Sequence, residues 1–209
     1  MILYLSSQKF GDNDAFLKEW ISNHSNKLLL IFNALDAKGK EKINNNIKED
    51  TSLLEKIGFD VTVIDLKDYF AKHDELKHVC QNYSAFCVMG GNTFVLREAL
   101  RYSGFDILLK EMSNSNNYLY IGYSAGSSVL SENLDIFKIV DEPINFYNNG
   151  DIIYDGIGLI NYVFIPHYKS DYHKAHLIDK IVDICERDNI VYKALRDGEI
   201  IIENTNGNI

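Results

Sequence analysis

Between Tyr120 and Ser128 the chain reads Tyr-Ile-Gly-Tyr-Ser-Ala-Gly-Ser-Ser, and Gly122-Tyr123-Ser124-Ala125-Gly126 fits the pattern G-x-S-x-G. An apolar run precedes it and a helix-like run follows. A sharp strand-to-helix turn of this composition lifts a serine hydroxyl clear of a sheet. It also sets that serine at a helix N-terminus, where backbone N–H groups favour developing negative charge. The chemistry implied is nucleophilic attack by Ser124 and acyl transfer.

A serine hydroxyl needs a base to be nucleophilic at neutral pH. Of the six histidines, His24, His73 and His78 lie in polar stretches and are expected at the surface. His167 directly follows the run Val163-Phe164-Ile165-Pro166, which places it at the exit of a buried strand, where a base can face Ser124. A third member, a carboxylate, would orient the imidazole and stabilise its charged form. Asp141, in Asp141-Glu142-Pro143-Ile144, and Asp197, in Leu195-Arg196-Asp197-Gly198, are both candidates. A plain turn aspartate is the ordinary alternative for either.

A second glycine-rich turn, Val88-Met89-Gly90-Gly91-Asn92-Thr93-Phe94, also follows a buried run and precedes a helical one. Paired glycines leave backbone N–H groups open to close approach. Gly90 or Gly91, together with the amide of Ala125, is the expected oxyanion hole. Neither G-x-G-x-x-G nor G-x-x-x-x-G-K-[ST] occurs, so the turn does not read as a nucleotide site. His167, Asp171, His173 and His176 form a His-x3-Asp-x-His-x2-His cluster that matches no common zinc signature. It is read as a solvated helix start; neither metal nor cofactor is expected.

The elements that must position these groups are legible as alternating short apolar runs and amphipathic stretches. Strands are expected at Ile2–Leu5, Leu28–Phe32, Asp60–Ile64, Ala85–Met89, Tyr118–Ile121, Tyr162–Ile165 and Ile190–Ala194. Several are apolar on consecutive residues, which suits strands buried on both faces of a mostly parallel sheet. Ile43, Ile47, Leu54 and Ile57 share a helical face, Phe94 to Tyr102 reads as a helix, and Ile178, Ile181, Val182 and Cys185 follow i, i+3, i+4, i+7 with Asp171 as the expected N-cap. Loops are expected at 113–117, 145–151 and 204–208, with Asn149-Gly150 as a hairpin turn. This alternation predicts one α/β domain over 1–209, a single doubly wound, mostly parallel sheet with helices on both faces.

At 209 residues and 46% hydrophobic content the chain can bury a core without staples. A net charge of −9 with no basic stripe makes nucleic acid and anionic membranes poor partners. Three cysteines, Cys80, Cys87 and Cys185, form no CxxC and suit a reducing, cytoplasmic setting. The first residues have no basic n-region and no long apolar stretch, so no leader and no membrane span is expected.

These residues together resemble the dipeptidase E (aspartyl dipeptidase) family of serine peptidases. The resemblance rests on the Gly90-Gly91-Asn92-Thr93-Phe94 turn, Gly122-Tyr123-Ser124-Ala125-Gly126, Asp141-x-Pro143-Ile144, Phe164-x-Pro166-His167 and Leu195-x-Asp197-Gly198, in that order over nearly the whole chain. It implies a fold like that of class I glutamine amidotransferases, with Ser124 as nucleophile, His167 as general base and Gly91 as an oxyanion-hole contributor. The acid maps to Asp141 or to Asp197. Asn92, Tyr168 and His173 are the candidate substrate-binding residues. Members that cleave after an N-terminal aspartate use an arginine-containing segment beyond the histidine. Here that segment, Tyr168 to His176, holds lysines and histidines but no arginine, and the two cations are not interchangeable at a bidentate carboxylate site. The resulting expectation is a peptidase of short peptides, monomeric or a small homo-oligomer, without settled side-chain preference. An α/β-hydrolase esterase shares the elbow, although His167 comes early in the chain for that fold. A non-catalytic binding module on the same scaffold is the third reading.

Overall fold

The computed structural model describes residues 1–147 and 150–205. Strands β1 (Ile2–Ser6), β2 (Lys27–Ile31), β3 (Asp60–Ile64), β4 (Ala85–Val88), β5 (Leu119–Tyr123) and β8 (Ile200–Asn204) form one sheet in the order β3-β2-β4-β5-β1-β8. Every neighbouring pair is parallel except β1 with β8. Strands β6 (Val163–Ile165) and β7 (Tyr192–Ala194) pair in parallel with each other, as a separate two-stranded sheet. The two runs expected in the main sheet therefore stand beside it.

Consecutive apolar residues in the strands are explained by two cores. Leu3 and Leu5 of β1, Leu29 and Ile31 of β2, and Phe86 and Val88 of β4 point into one. Tyr4, Leu28, Leu30, Ala85 and Cys87, one residue out of step, point into the other. A period of two on a strand with apolar side chains at every position demands cover on both sides. Helices α1 (Ala15–Asn23) and α2 (Lys40–Ile57) cover the second face through Leu17, Trp20 and Leu54. Helices α3 (His73–Cys80), α4 (Thr93–Ser103), α5 (Phe105–Met112) and α7 (Ala175–Arg187) contribute to the first. The short helix α6 (Ala125–Ser128) follows β5 directly. The three cysteines are buried and unpaired.

Two expected local features differ. Asp171 does not cap α7; Lys174 occupies that position, and the chain from His167 to Lys174 is a turn with Lys169 at φ 49°. The Asn149-Gly150 turn falls partly outside the described residues, as does the tail of the 204–208 loop, whose first residue ends β8. Among the described residues, no helix is long and apolar enough to cross a membrane.

Candidate active site

Strands β4, β5 and β1 are neighbours, and their carboxyl ends deliver Gly90-Gly91, Ser124 and Ser7 to one edge of the sheet. This is where sites form in open parallel sheets. Ser124 sits at φ 50°, ψ −118°, a conformation a non-glycine residue adopts at a cost of about 1–3 kcal/mol. Close packing holds it there. The Ser124 amide donates to Ser6 O at 3.2 Å, and its carbonyl accepts from the amides of Ser127 and Ser128. A Cβ on Gly126 would lie 2.1 Å from Val88 O, and one on Gly122 would lie 2.7 Å from Gly126 O. Only glycine lets the elbow close against β4.

Behind the elbow, the Tyr123 hydroxyl donates to Asp50 Oδ2 at 2.6 Å, and Lys9 Nζ bonds Asp50 Oδ1 at 2.6 Å. Burial raises the Asp50 carboxyl, opposed by the bonds from Lys9 and Tyr123. This half-buried ion pair anchors the residue preceding Ser124 to α2.

His167 follows β6 with φ 61°, a second non-glycine residue in the left-handed region. Its Nε2 lies 3.1 Å from Ser124 Oγ, and its Nδ1 lies 2.7 Å from Asp197 Oδ1. Asp197 follows β7, and the pairing of Ile165 with Ala194 sets the two side chains beside each other. Ser7 ties this pair to the main sheet. Its Oγ accepts from the His167 amide at 2.7 Å and donates to Asp197 Oδ1 at 2.7 Å. Ser170 Oγ accepts from the Asp197 amide at 2.7 Å. The Tyr172 ring stacks on the His167 ring with centroids 4.3 Å apart, which shields the imidazole from water. Burial raises the Tyr172 hydroxyl, and the charges of Asp141 and Asp197 add to the effect.

Asp141 stands elsewhere in the site. Its Oδ2 accepts from the Thr93 amide at 2.9 Å and from Thr93 Oγ1 at 2.7 Å, at the start of α4. It lines the same recess as Ser124 and His167 without touching the imidazole. The segment that carries it is fastened at its far end. Buried Glu98 accepts from the amides of Phe146 and Tyr147, and the Tyr147 hydroxyl donates to Asp36 at 2.5 Å. Among the described residues Glu98 Oε1 has no hydrogen-bond partner, and burial raises its carboxyl.

The two glycines of the second turn divide. The Gly90 amide faces the Tyr123 hydroxyl. Gly91, at φ 156°, lies so close to Ala34 that a Cβ would fall 2.3 Å from Ala34 O. Among the described residues, the amides of Gly91 and Ala125 meet no protein acceptor, and both residues line the recess beside Ser124. Of the remaining candidates, Asn92 lines the wider cleft, but its Oδ1 caps α4 and its Nδ2 donates to Glu142 O. His173 is exposed at the cleft rim, against Tyr172. Tyr168 lines neither cavity; its ring lies under Lys169 Nζ. Among the described residues, no three His, Cys, Asp or Glu side chains gather as a metal site. Sequence reasoning missed Ser7, Ser170, Thr93 and Tyr172. Ser7 alone had a signal, as a small polar residue leaving a buried first strand.

The profile of peptidase family S51 matches residues 2–208. An uncharacterized peptidase of Listeria innocua is 27% identical over 98% of this chain and 97% of its own length. One from Listeria monocytogenes is 28% identical over 86% of this chain and 83% of its own. A crystal structure of a candidate peptidase E protein from Listeria monocytogenes superposes with a TM-score of 0.73 at 24% identity, covering 97% of this chain and 98% of that one. That likeness fixes the fold as the α/β, class I glutamine amidotransferase-like one. Matched from the second residue almost to the last, the chain belongs to peptidase family S51, the dipeptidase E family of serine peptidases, and is a peptidase.

Proposed function

We propose that the protein hydrolyses short peptides through an acyl-enzyme on Ser124, with His167 as general base and Asp197 as the carboxylate that orients it. The observation that carries this reading is the continuous chain from Asp197 through His167 to Ser124. In the reaction His167 Nε2 takes the Ser124 proton as Oγ attacks the scissile carbonyl. The tetrahedral oxyanion forms against the unpaired amides of Gly91 and Ala125, donors each worth roughly 3–4 kcal/mol in such sites. The protonated His167 then gives its proton to the leaving amine, and water, activated by the same imidazole, releases the acyl group. Asp197 stays ionised and stabilises the imidazolium.

The cleft favours short substrates. It encloses about 580 Å³ between the glycine turn, the α2 start and the Tyr172 segment. That is room for a few residues and not for a folded chain. Lys38 and Lys42 on one rim supply positive charge for a carboxylate of the leaving half. The test is hydrolysis of a panel of X-Leu dipeptides, Asp-Leu included, by the wild type and by Ser124→Ala. Cleavage that disappears in the variant is the expected result. Cleavage that survives it would remove Ser124 from the mechanism.

A further inference from the structure

We infer that Tyr123, held by Asp50, is a positioning residue for the oxyanion hole. It backs the Gly90–Gly91 peptide on one side and the Ser124–Ala125 turn on the other, and so keeps the Gly91 and Ala125 amides aimed at one point. The inference rests on the serine-peptidase reading above and gives a task to the position that G-x-S-x-G leaves open before the serine.

The glycine turn is tied to the backbone at its two ends. The Met89 amide donates to Ile31 O at 2.9 Å and the Asn92 amide to Ala34 O at 2.8 Å. Between them, the Gly90 and Gly91 amides have no backbone acceptor among the described residues. Two adjacent residues without Cβ atoms make the peptide that joins them the easiest in the turn to rotate. Half a rotation would swing the Gly91 N–H away from Ser124 and bring the Gly90 carbonyl round in its place. A negative dipole would then face the point where negative charge develops, the reverse of what the hole must supply.

Tyr123 opposes that rotation. A Cβ on Gly90 would lie 2.8 Å from Cε2 and 3.0 Å from Cδ2 of its ring, so the ring packs directly on the turn. The Gly90 amide faces its hydroxyl. Asp50 decides what that hydroxyl offers. The phenolic proton goes to Asp50 Oδ2 at 2.6 Å, while Lys9 Nζ occupies Oδ1 at 2.6 Å. With its proton committed, the oxygen is left to accept from the amide. Tyr123 is 7% exposed and Asp50 is 0% exposed, so water does not compete for these bonds. Along the chain Tyr123 is joined to Ser124 and stands two residues from Ala125, so a displacement of its ring reaches both donors. Packing alone would be met by phenylalanine. The hydroxyl instead meets a carboxylate brought from α2, 73 residues earlier in the chain, whose burial is itself unfavourable. Keeping such a charge inside fits a demand on direction better than one on stability.

The experiment compares wild type, Tyr123→Phe, Asp50→Ala, the two combined, and Lys9→Gln on the best X-Leu dipeptide. Rates are taken per Ser124 that a fluorophosphonate labels at completion, so unfolded protein does not count. In Tyr123→Phe and in Asp50→Ala kcat should fall about 10- to 100-fold, at or below the cost of removing a whole oxyanion donor. KM should stay within about threefold of wild type, since the interaction belongs to the transition state. The α-aminoboronic acid with the same X forms a tetrahedral adduct on serine that sets an oxygen in the hole, and its inhibition constant should weaken in step with kcat. The rise of kcat/KM with pH, set by His167, should not move. The double variant should be no slower than the slower single one, because both break the same contact. Lys9→Gln breaks the ion pair but leaves the hydroxyl its acceptor, and kcat should stay within about threefold. Tyr123→Phe at wild-type kcat would overturn the positioning role. So would a boronate that binds every variant alike, or a loss in Lys9→Gln as large as in Asp50→Ala. Asp50→Ala keeps the whole ring, so its comparison with Lys9→Gln decides the matter even where Tyr123→Phe does not fold. Wild type that leaves Ser124 unlabelled and cleaves no dipeptide would instead sink the serine-peptidase reading, and this inference with it.

Discussion

Replacing Asp197 by asparagine should lower kcat far less than the same change does in a serine protease whose asparagine presents the wrong group to histidine. The reason is Ser7. Its hydroxyl accepts from the His167 amide and therefore donates to Asp197 Oδ1, the same atom that faces His167 Nδ1. In the variant this donor selects the amide oxygen for that position and turns the NH2 group to the other side. His167 Nδ1 keeps an acceptor, so the imidazole keeps its tautomer and loses only the negative charge opposite it. At an effective dielectric of about 20 and a charge separation of about 4 Å, that attraction is ~4 kcal/mol. With the Asp197 side chain 23% exposed, screening reduces it to roughly 2–3 kcal/mol. The expected fall in kcat is about 30- to 150-fold. Asparagine that inverted the tautomer would cost on the order of 10⁴. The assay is steady-state cleavage of the best X-Leu dipeptide by Asp197→Asn and by Asp197→Asn combined with Ser7→Ala. Without the hydroxyl, asparagine is free to flip, and the double variant should approach the larger loss. A 10⁴ loss in the single variant, or a double variant no worse than the single, would refute the reasoning.

Two further expectations concern stability. Gly126→Ala would place a Cβ 2.1 Å from Val88 O; overpacking of this kind costs about 2–3 kcal/mol, whereas Gly39→Ala, with nothing within 4 Å of its Cβ, should stay within about 0.5 kcal/mol by chemical denaturation. Comparable losses in both would argue against the close approach of α6 to β4. Glu98 has its carboxyl raised by burial, so the folded state holds that proton more tightly than the unfolded chain, and its contribution to stability declines as pH climbs above the ordinary carboxylate range. Glu98→Gln keeps an acceptor for the Phe146 and Tyr147 amides without the charge. Its melting temperature relative to wild type should therefore improve between pH 4 and pH 7, and a difference independent of pH would refute the assignment.

Strands β1, β2, β4 and β5 were legible because burial on both faces writes an unbroken apolar run, as in Leu28 to Ile31; β3, mostly exposed, showed only as a run of β-branched residues, and β8 (Ile200–Asn204), half-buried throughout, was not among the expected strands. The elbow was legible because Gly122 and Gly126 are required by contacts only a few residues away in sequence or on the adjoining strand. What depends on distant pairing was not. Nothing local distinguishes a strand that joins the main sheet from one that pairs beside it, so the separation of β6 and β7 could not be read. That His167 meets Asp197 and not Asp141 has the same origin, since the contact follows from the register that sets Ile165 opposite Ala194. The run beginning at Ile190 read as strand on hydrophobicity, yet Ile190 and Val191 are 38% and 68% exposed and the strand starts at Tyr192. Tyr172 had no signal, because its place over His167 comes from a turn with Lys169 at positive φ, a conformation that lysine does not announce.

The three members of the candidate relay ride on two separate sheets. Ser124 belongs to the large one, while His167 and Asp197 leave adjacent strands of the small one. Mechanically the base and its carboxylate are a single carriage, kept in register by their own ladder. Sliding that carriage by an ångström would open the 3.1 Å gap to Ser124 and leave the 2.7 Å bond to Asp197 intact. Ser7, just past β1, is the latch nearest the relay, and Glu203 of β8 ties the far end of the small sheet through Tyr162 and Lys193. Under mild denaturant the relay should thus disengage in one step, at the Ser124–His167 contact, while both sheets still hold their shape.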